Sequence, residues 1–401
     1  MLPLLKVAVV TTYPPGKGTL NEYGFYLVKY LRLNSQIKEL ILICDDLPDT
    51  ETYHLEDEGC PVTVIPSWSF NGWRNPVRIL RTVRHSKPDI VLFNIQFLSF
   101  GDKKVQAALG LFTPLLLKSF GYPSVVILHN ILERVDLSNA GITNNKLLSR
   151  LYNFIGTLLS RLILSANLVT VTISKYVEIL EEKYGTNNVA LVPHGSFETP
   201  PMPDPALPPG PLKIMTFGKF GTYKRVEVLI DAVELLRKTT DVPMEIVIAG
   251  TDSPNRKGYL DSVREQYSHV PGLTFTGYIP EDDVPVIFRE SAVVVFPYTS
   301  TTGSSGVLHQ AGSYGKAVIL PDIGDLKELI QEEGYVGEIF SPDNAVSLAA
   351  AINKVISNDA YRISLGQQNY LAAVSLPMDD ISDWFYIHFL GILGKTRGLS
   401  S

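Results

Sequence analysis

Short apolar runs alternate with longer segments of helical period through most of the chain. Lys6–Thr12 is apolar without a break after its lysine, as a strand buried on both faces should be. The segment after it, Leu20–Leu33, places Tyr23, Tyr26, Leu27 and Tyr30 on one helical face. Glu39–Cys44, Val62–Ile65, the run from Lys87 to Asn94, Ser124–Leu128, Leu168–Ile173 and Asn188–Val192 read as further strands. Asn75–Ser86 reads as a helix, with Arg74, Arg78, Arg81 and Arg84 spaced along it. Such a stripe is read first as a solvated face, and second as a face for a membrane or an acceptor phosphate. Lys146–Leu164 is apolar apart from a narrow stripe of Arg150, Asn153, Thr157 and Arg161. That predicts burial between layers, with a helix lying on a bilayer as the alternative.

The alternation breaks at Thr199–Leu212, which holds prolines 200, 201, 203, 205, 208, 209 and 211 and fits neither a helix nor a central strand. It then starts afresh. Lys213–Phe217, Met244–Ala249, Leu273–Gly277, Ala292–Phe296 and Ala317–Leu320 read as strands. Val226–Lys238, Tyr259–Tyr267, Ala345–Ile356 and Tyr361–Val374 read as helices, and Asp379–Lys395 as an amphipathic tail carrying Trp384, Phe385, Ile387, Phe389 and Leu390. The pattern predicts an α/β protein with two Rossmann-like domains, residues 1–198 and 213–378, joined by a proline-rich linker over 199–212. Ligands of such sheets bind beyond the carboxyl ends of the strands, so a cleft between the domains is the expected site.

The candidate chemistry centres on Phe296–Asp325, where a loop turns into a helix through Ser304-Ser305-Gly306-Val307-Leu308-His309-Gln310. Ser304 is placed to cap the helix, and the amides of Ser305, Gly306 and Val307 have no acceptor inside it. Gly303 and Gly306 lack a Cβ and let a ligand approach the backbone. Open amides and the positive end of the helix dipole suit an anion.

Composition narrows the class. The 401 residues are 45% hydrophobic and 19% charged, with a net charge of −6, which argues against broad nucleic-acid binding. Basic and acidic residues number 19 and 17 over residues 1–198, but 16 and 24 over the rest, so the first half is the likelier to face an anionic surface. Cys44 and Cys60 are the only cysteines and read as buried thiols in a reducing cytoplasm. No Cys/His cluster has metal spacing. The most apolar stretch, Val105–Leu128, is broken by Pro114 and Lys118, so a cytoplasmic location is expected, with membrane contact only at the inner surface.

Several pieces, in this order, resemble the retaining nucleotide-sugar glycosyltransferases of family 4, of the GT-B fold and the exopolysaccharide-biosynthesis type. They are Val192-Pro193-His194-Gly195; Phe217-Gly218-Lys219 with Lys224-Arg225; Thr276-Gly277-Tyr278-Ile279-Pro280; and Ser305-Gly306-Val307 with Ala311 and Gly315-Lys316-Ala317-Val318. The resemblance implies a C-terminal helix, residues 379–401, packing back on the N-terminal domain. It makes Lys219 and Lys224 the cations on a nucleotide diphosphate, with Lys219 in place of the usual arginine and Arg225 adjacent. The amides of Ser305, Gly306 and Val307 would take the β-phosphate, Gly277, Tyr278 and Ile279 the base, and Gln310 the ribose, while Ser304 and Ser305, or a main-chain group, would contact the donor sugar. Gly18 and Thr19 stand in the position of a glycine-rich loop facing the phosphates, and His129 matches a histidine near the reacting carbon.

By that likeness the donor is a UDP-sugar, UDP-glucose in particular, the acceptor a glycan or lipid-linked glycan, and neither metal nor other cofactor is needed. The sequence departs from the pattern at Thr302 and Gln310, where the family has two glutamates. Two alternatives therefore stay open: a non-catalytic nucleotide-sugar-binding subunit, and a UDP-sugar epimerase using Glu22 and Glu133 as its carboxylates.

Overall fold

The structure is a computed structural model that describes residues 3–16, 18, 20–46, 51–56, 58–132, 146–253, 256–300 and 303–396. These fall into two units: one takes the chain up to His194 together with its last helix, the other takes Gly195–Pro377.

The first unit is built on β1 (Leu5–Val10), α1 (Asn21–Leu33), β2 (Ile37–Asp45), β3 (Tyr53–Leu55), β4 (Val62–Trp68), α2 (Asn75–Ser86) and β5 (Ile90–Ile95). It continues with α3 (Lys104–Leu111), α4 (Thr113–Ser119), β6 (Ser124–Leu128), α5 (Lys146–Ile163), β7 (Leu168–Val171), α6 (Ser174–Tyr184) and β8 (Val189–Leu191). Its sheet has the order β3-β4-β2-β1-β5-β6-β7-β8, parallel except for β3. The strands are continuous apolar runs because helices cover both faces, and β5 and β6 are buried at every position. Strand order reverses between β1 and β5, which puts the loops after these strands at the switch point of the sheet.

The second unit has β9 (Leu212–Phe220), α7 (Glu227–Leu236), β10 (Met244–Asp252), α8 (Tyr259–Gln266), β11 (Leu273–Gly277), α9 (Val284–Glu290) and β12 (Ser291–Val295). α10 (Gly306–Ser313), β13 (Val318–Pro321), α11 (Gly324–Glu333), β14 (Glu338–Phe340), α12 (Ala345–Ile356) and α13 (Asp359–Val374) complete it. The sheet is parallel throughout in the order β11-β10-β9-β12-β13-β14 and reverses between β9 and β12. One side of its core joins Leu229, Ile230 and Val233 of α7 to Leu348, Ile352 and Val355 of α12. Gly250 is needed where β10 meets β9: a Cβ there would lie 1.9 Å from the Gly218 carbonyl oxygen.

The proline-rich segment lies within the second unit, which begins ahead of it at Gly195. It runs along α13, where the Tyr370 hydroxyl donates to the Pro200 carbonyl (2.8 Å) and Arg362 to that of Pro205 (3.4 Å).

α14 (Met378–Thr396) groups with the first unit and packs on α1. Asn34 Nδ2 donates to Asp383 Oδ1 (2.7 Å), and the Tyr386 hydroxyl donates to the Pro3 carbonyl (3.0 Å). The buried face is Ile381, Phe385 and Phe389, four residues apart, while Trp384 and Ile387 point to solvent.

One expectation is corrected. α5 is not buried all round: over residues 154–163, Phe154 and Leu158 are exposed while Ser160 and Ile163 are buried. The helix therefore has one covered face, and its apolar residues extend beyond that face.

Candidate functional site

In the second unit, four structural facts meet at the carboxyl edge of β9 and β12. Lys219 lies in the last turn of strand pairing of β9, opposite Thr251, with its side chain exposed. The loop after β9 returns against the loop after β12: Lys224 bridges to Tyr298, Arg225 N donates to the Pro297 carbonyl (3.0 Å), and Thr299 N donates to the Tyr223 carbonyl (2.9 Å). This seats Lys224 Nζ over the Tyr298 ring, 4.7 Å from its centroid, and 5.8 Å from that of Tyr223. Seven residues beyond Thr299, α10 begins, with Ser305 as its N-cap residue.

Among the described residues neither Lys219 nor Lys224 forms an ion pair. Arg225 does: its half-exposed guanidinium lies 3.6 Å from Glu227. Gly218, at φ 136°, makes the space Lys224 uses. Tyr298 is buried, which pushes its phenol up, and the neighbouring Ser305 side chain pulls it part of the way back.

The capping expectation for Ser304 is corrected. Ser304 Oγ lies 3.0 Å from His309 Nε2, the residue at the cap is Ser305, and no side-chain oxygen closes the helix start. The amides of Gly306 and Val307 have no acceptor within the helix, while Leu308 N already donates to the Ser305 carbonyl (2.8 Å). An oxyanion there meets two open donors and the helix dipole.

Gly277, at φ 71°, ends β11, and Tyr278 and Ile279 follow it, with Tyr278 largely exposed. They sit two strands from β9, roughly 10 Å away along the same edge. A nucleoside diphosphate is long enough to join the two places. Gln310 lies on α10 one turn beyond Gly306 and is half-buried. Lys316 belongs to structure instead: it is buried, its Nζ donates to the carbonyls of Arg289 (2.8 Å) and Ser291 (3.0 Å), and burial pushes it down to about 8.

The first unit carries its own cluster, at the β1/β5 switch point. His129 follows β6 and its Nε2 donates to Asn94 Oδ1 (2.6 Å), whose Nδ2 donates to Thr11 Oγ1 (2.9 Å). The chain of donors fixes a neutral imidazole with its proton on Nε2. Burial, with His194 nearby as a lesser cause, pushes His129 down to about 3. Tyr23 packs edge-on against both rings, at 4.5 and 4.9 Å between centroids. Gly18 lies against Thr12, where a Cβ would come within 2.5 Å of its methyl. Thr19, Thr302 and Glu133 lie outside the described residues. Glu22 is exposed in the first turn of α1.

Sequence reasoning missed Asn94, Tyr298, and a buried trio behind α10: His309, Glu333 and Tyr335. The Tyr335 hydroxyl is 2.9 Å from His309 Nδ1, and Glu333 Oε2 is 3.6 Å from Nε2. Burial pushes the Glu333 carboxyl up to about 8. Glu333 ends a Gln-Glu-Glu run that reads as a solvated helix end, so no local pattern marks it. Among the described residues no three His, Cys, Asp or Glu side chains gather as metal ligands would.

Residues 211–358 match the family described as glycosyl transferases group 1. The fold is GT-B. Sucrose-phosphate synthase from Thermosynechococcus elongatus superposes with a TM-score of 0.74 at 15% identity, over 98% of this chain and 100% of that one. HepE from Anabaena, in complex with UDP-glucose, does so with a TM-score of 0.67 at 15% identity, over 96% and 100%. The GT-B fold and the domain match agree: a domain similar to glycosyl transferases group 1 occupies most of the second half of the chain. Among curated proteins, O-antigen chain mannosyltransferase B of Escherichia coli is 22% identical over 149 residues, 36% of this chain. The match spans 37% of that relative's length.

Proposed function

We infer that this chain is a retaining, metal-independent hexosyltransferase that moves glucose from UDP-glucose to a glycan or lipid-linked acceptor in polysaccharide synthesis. The observation that carries the reading is the pair Lys219 and Lys224, two cations without a carboxylate partner among the described residues, beside the open amides of α10. Breaking a glycosidic bond to a diphosphate leaves growing negative charge on the β-phosphate. Preorganised cations and amides stabilise that charge more than they stabilise the ground state, which is what lowers the barrier. The leaving phosphate can itself accept the acceptor's proton, so the front-face route implied by the family resemblance asks little of a side-chain base. The base would lie at Gly277–Ile279 and the ribose at Gln310. HepE, whose fold this chain shares, is described in complex with UDP-glucose, which supports a sugar-nucleotide donor; the curated relative is an O-antigen chain mannosyltransferase, which supports transfer to a glycan.

The reading extends to location. The exposed side of α2 carries Arg74, Val77, Arg81 and Arg84 after Trp73, the helix contains no acidic residue, and Arg84 lies over the Phe120 ring (5.8 Å). Cations interleaved with exposed aromatics suit the anionic inner face of a membrane. No helix among the described residues is long and apolar enough to cross one.

The deciding experiment incubates the chain with a panel of nucleotide sugars and glycan acceptors and measures nucleoside diphosphate release and anomeric configuration. UDP release with UDP-glucose and an α-linked product are expected. No release with any donor would end the reading.

A further inference from the structure

Behind the first turn of α10 a buried carboxyl faces a buried imidazole, and the transfer chemistry above uses neither. Glu333, the last residue of α11, is buried, and neither of its carboxyl oxygens has a hydrogen-bond partner among the described residues. Its Oε2 lies 3.6 Å from His309 Nε2, too far for a hydrogen bond but close for an electrostatic contact. The same Nε2 is 3.0 Å from Ser304 Oγ, and Nδ1 is 2.9 Å from the Tyr335 hydroxyl. His309 therefore links the end of α11 to the hydroxyl that stands just ahead of α10.

An imidazole between two hydroxyls has two neutral tautomers, and they differ in what they leave Ser304 to offer. With Nε2 bare, the ring accepts the Ser304 proton, and only oxygen lone pairs face outward. With Nε2 protonated, the ring donates to Ser304 Oγ, the Tyr335 hydroxyl donates to Nδ1, and the Ser304 proton is free for a ligand. A carboxyl oxygen that carries no proton of its own, facing Nε2, favours a proton on that nitrogen by simple attraction. Packing gives no reason for a carboxyl here, since burying one without hydrogen bonds is costly and an apolar side chain would fill the space at lower cost.

We propose that Glu333, acting through His309, keeps the Ser304 hydroxyl as a hydrogen-bond donor to a diphosphate oxygen of the bound nucleotide, beside the amides of Gly306 and Val307. This rests on the donor-site reading above. Ser304 touches the ligand; His309 and Glu333 are positioning residues.

Calorimetric titration of the full chain with UDP and with uridine tests it. Glu333→Leu should weaken UDP about 5-fold, the effect of one lost neutral hydrogen bond, leave uridine unchanged and raise the melting temperature. Tyr335→Phe, which keeps the ring, should show the same selective loss. In a Ser304→Ala background Glu333→Leu should add nothing further, because both act on one contact. Wild-type UDP affinity in both variants, an equal loss for uridine, or full additivity with Ser304→Ala would overturn the proposal. If the unaltered chain does not bind UDP, the donor-site reading falls and takes this with it. Normal binding by the unaltered chain and by both variants removes this inference alone.

Discussion

A Cβ on Gly218 would lie 2.9 Å from Lys224 Nζ. The glycine also sits at φ 136°, a conformation that costs any L side chain. One residue thus does two jobs, letting β9 turn and leaving the space into which the Lys224 ammonium folds. Gly218→Ala should displace Lys224 and lower turnover at least tenfold, with a stability loss of about 1–3 kcal/mol. Steady-state UDP release and urea unfolding of the same sample check both parts.

Lys224→Ala should raise the barrier to transfer by about 2–4 kcal/mol, the range for losing one preorganised stabiliser of developing charge. Because that charge grows only as the bond breaks, kcat should fall more than KM rises. A kcat within a factor of two of the unaltered enzyme would take Lys224 out of the site.

Gln310→Ala should weaken UDP by about 1 kcal/mol, as a neutral amide bond to a ribose hydroxyl is lost. The loss should be the same for uridine, which separates this contact from the phosphate contacts. Unchanged affinity for both ligands would place the ribose elsewhere.

His129 gives a pH signature in the first unit. Its folded-state value is about 3 against an ordinary 6.5, so below pH 6.5 the unfolded chain takes up a proton that the folded ring refuses. The stability this group contributes is present above 6.5 and is lost as pH falls toward 3. His129→Gln keeps a donor for Asn94 without a titrating ring. Its unfolding free energy should fall less steeply between pH 6.5 and 4, measured by urea denaturation across that window.

At and just before α2, Trp73→Ser with Arg81→Ser and Arg84→Ser should abolish co-sedimentation with vesicles rich in phosphatidylglycerol, while UDP release from UDP-glucose with soluble acceptors stays as before. Salt should weaken the binding of the unaltered chain, since each surface cation contributes only about 1 kcal/mol and is screened. Vesicle binding that ignores both the substitutions and the salt would count against the proposed face.

Local pattern carried most of the fold. Asn75–Ser86 was legible because Pro76 opens the helix and the apolar Ile79 and Val83 repeat along one face. The β12–α10–β13 order was legible because buried parallel strands read as unbroken apolar runs. Val105–Leu128 was harder: it reads as one interrupted apolar stretch, yet it folds as α3, α4 and β6, with Pro114 in the first turn of α4. The short antiparallel β3 carries too few residues to show a period. In the candidate site, Lys219 and Lys224 were singled out by the resemblance of Phe217-Gly218-Lys219 and Lys224-Arg225 to a family pattern. Tyr298 beneath Lys224, Asn94 beside His129, and Glu333 behind Ser304 were not, because each contact joins segments from different elements and is made only by tertiary packing.

Lys224 rests on the faces of aromatic rings and, among the described residues, not against an acid. A carboxylate in that position would be a competitor that an arriving nucleotide must evict; a ring's diffuse negative face steadies the ammonium while leaving its charge unspent. By the proposed chemistry, departing UDP carries the extra charge and would be held more firmly than the arriving sugar nucleotide. Escape of UDP, more than making the new bond, is then the event that background electrolyte should hasten.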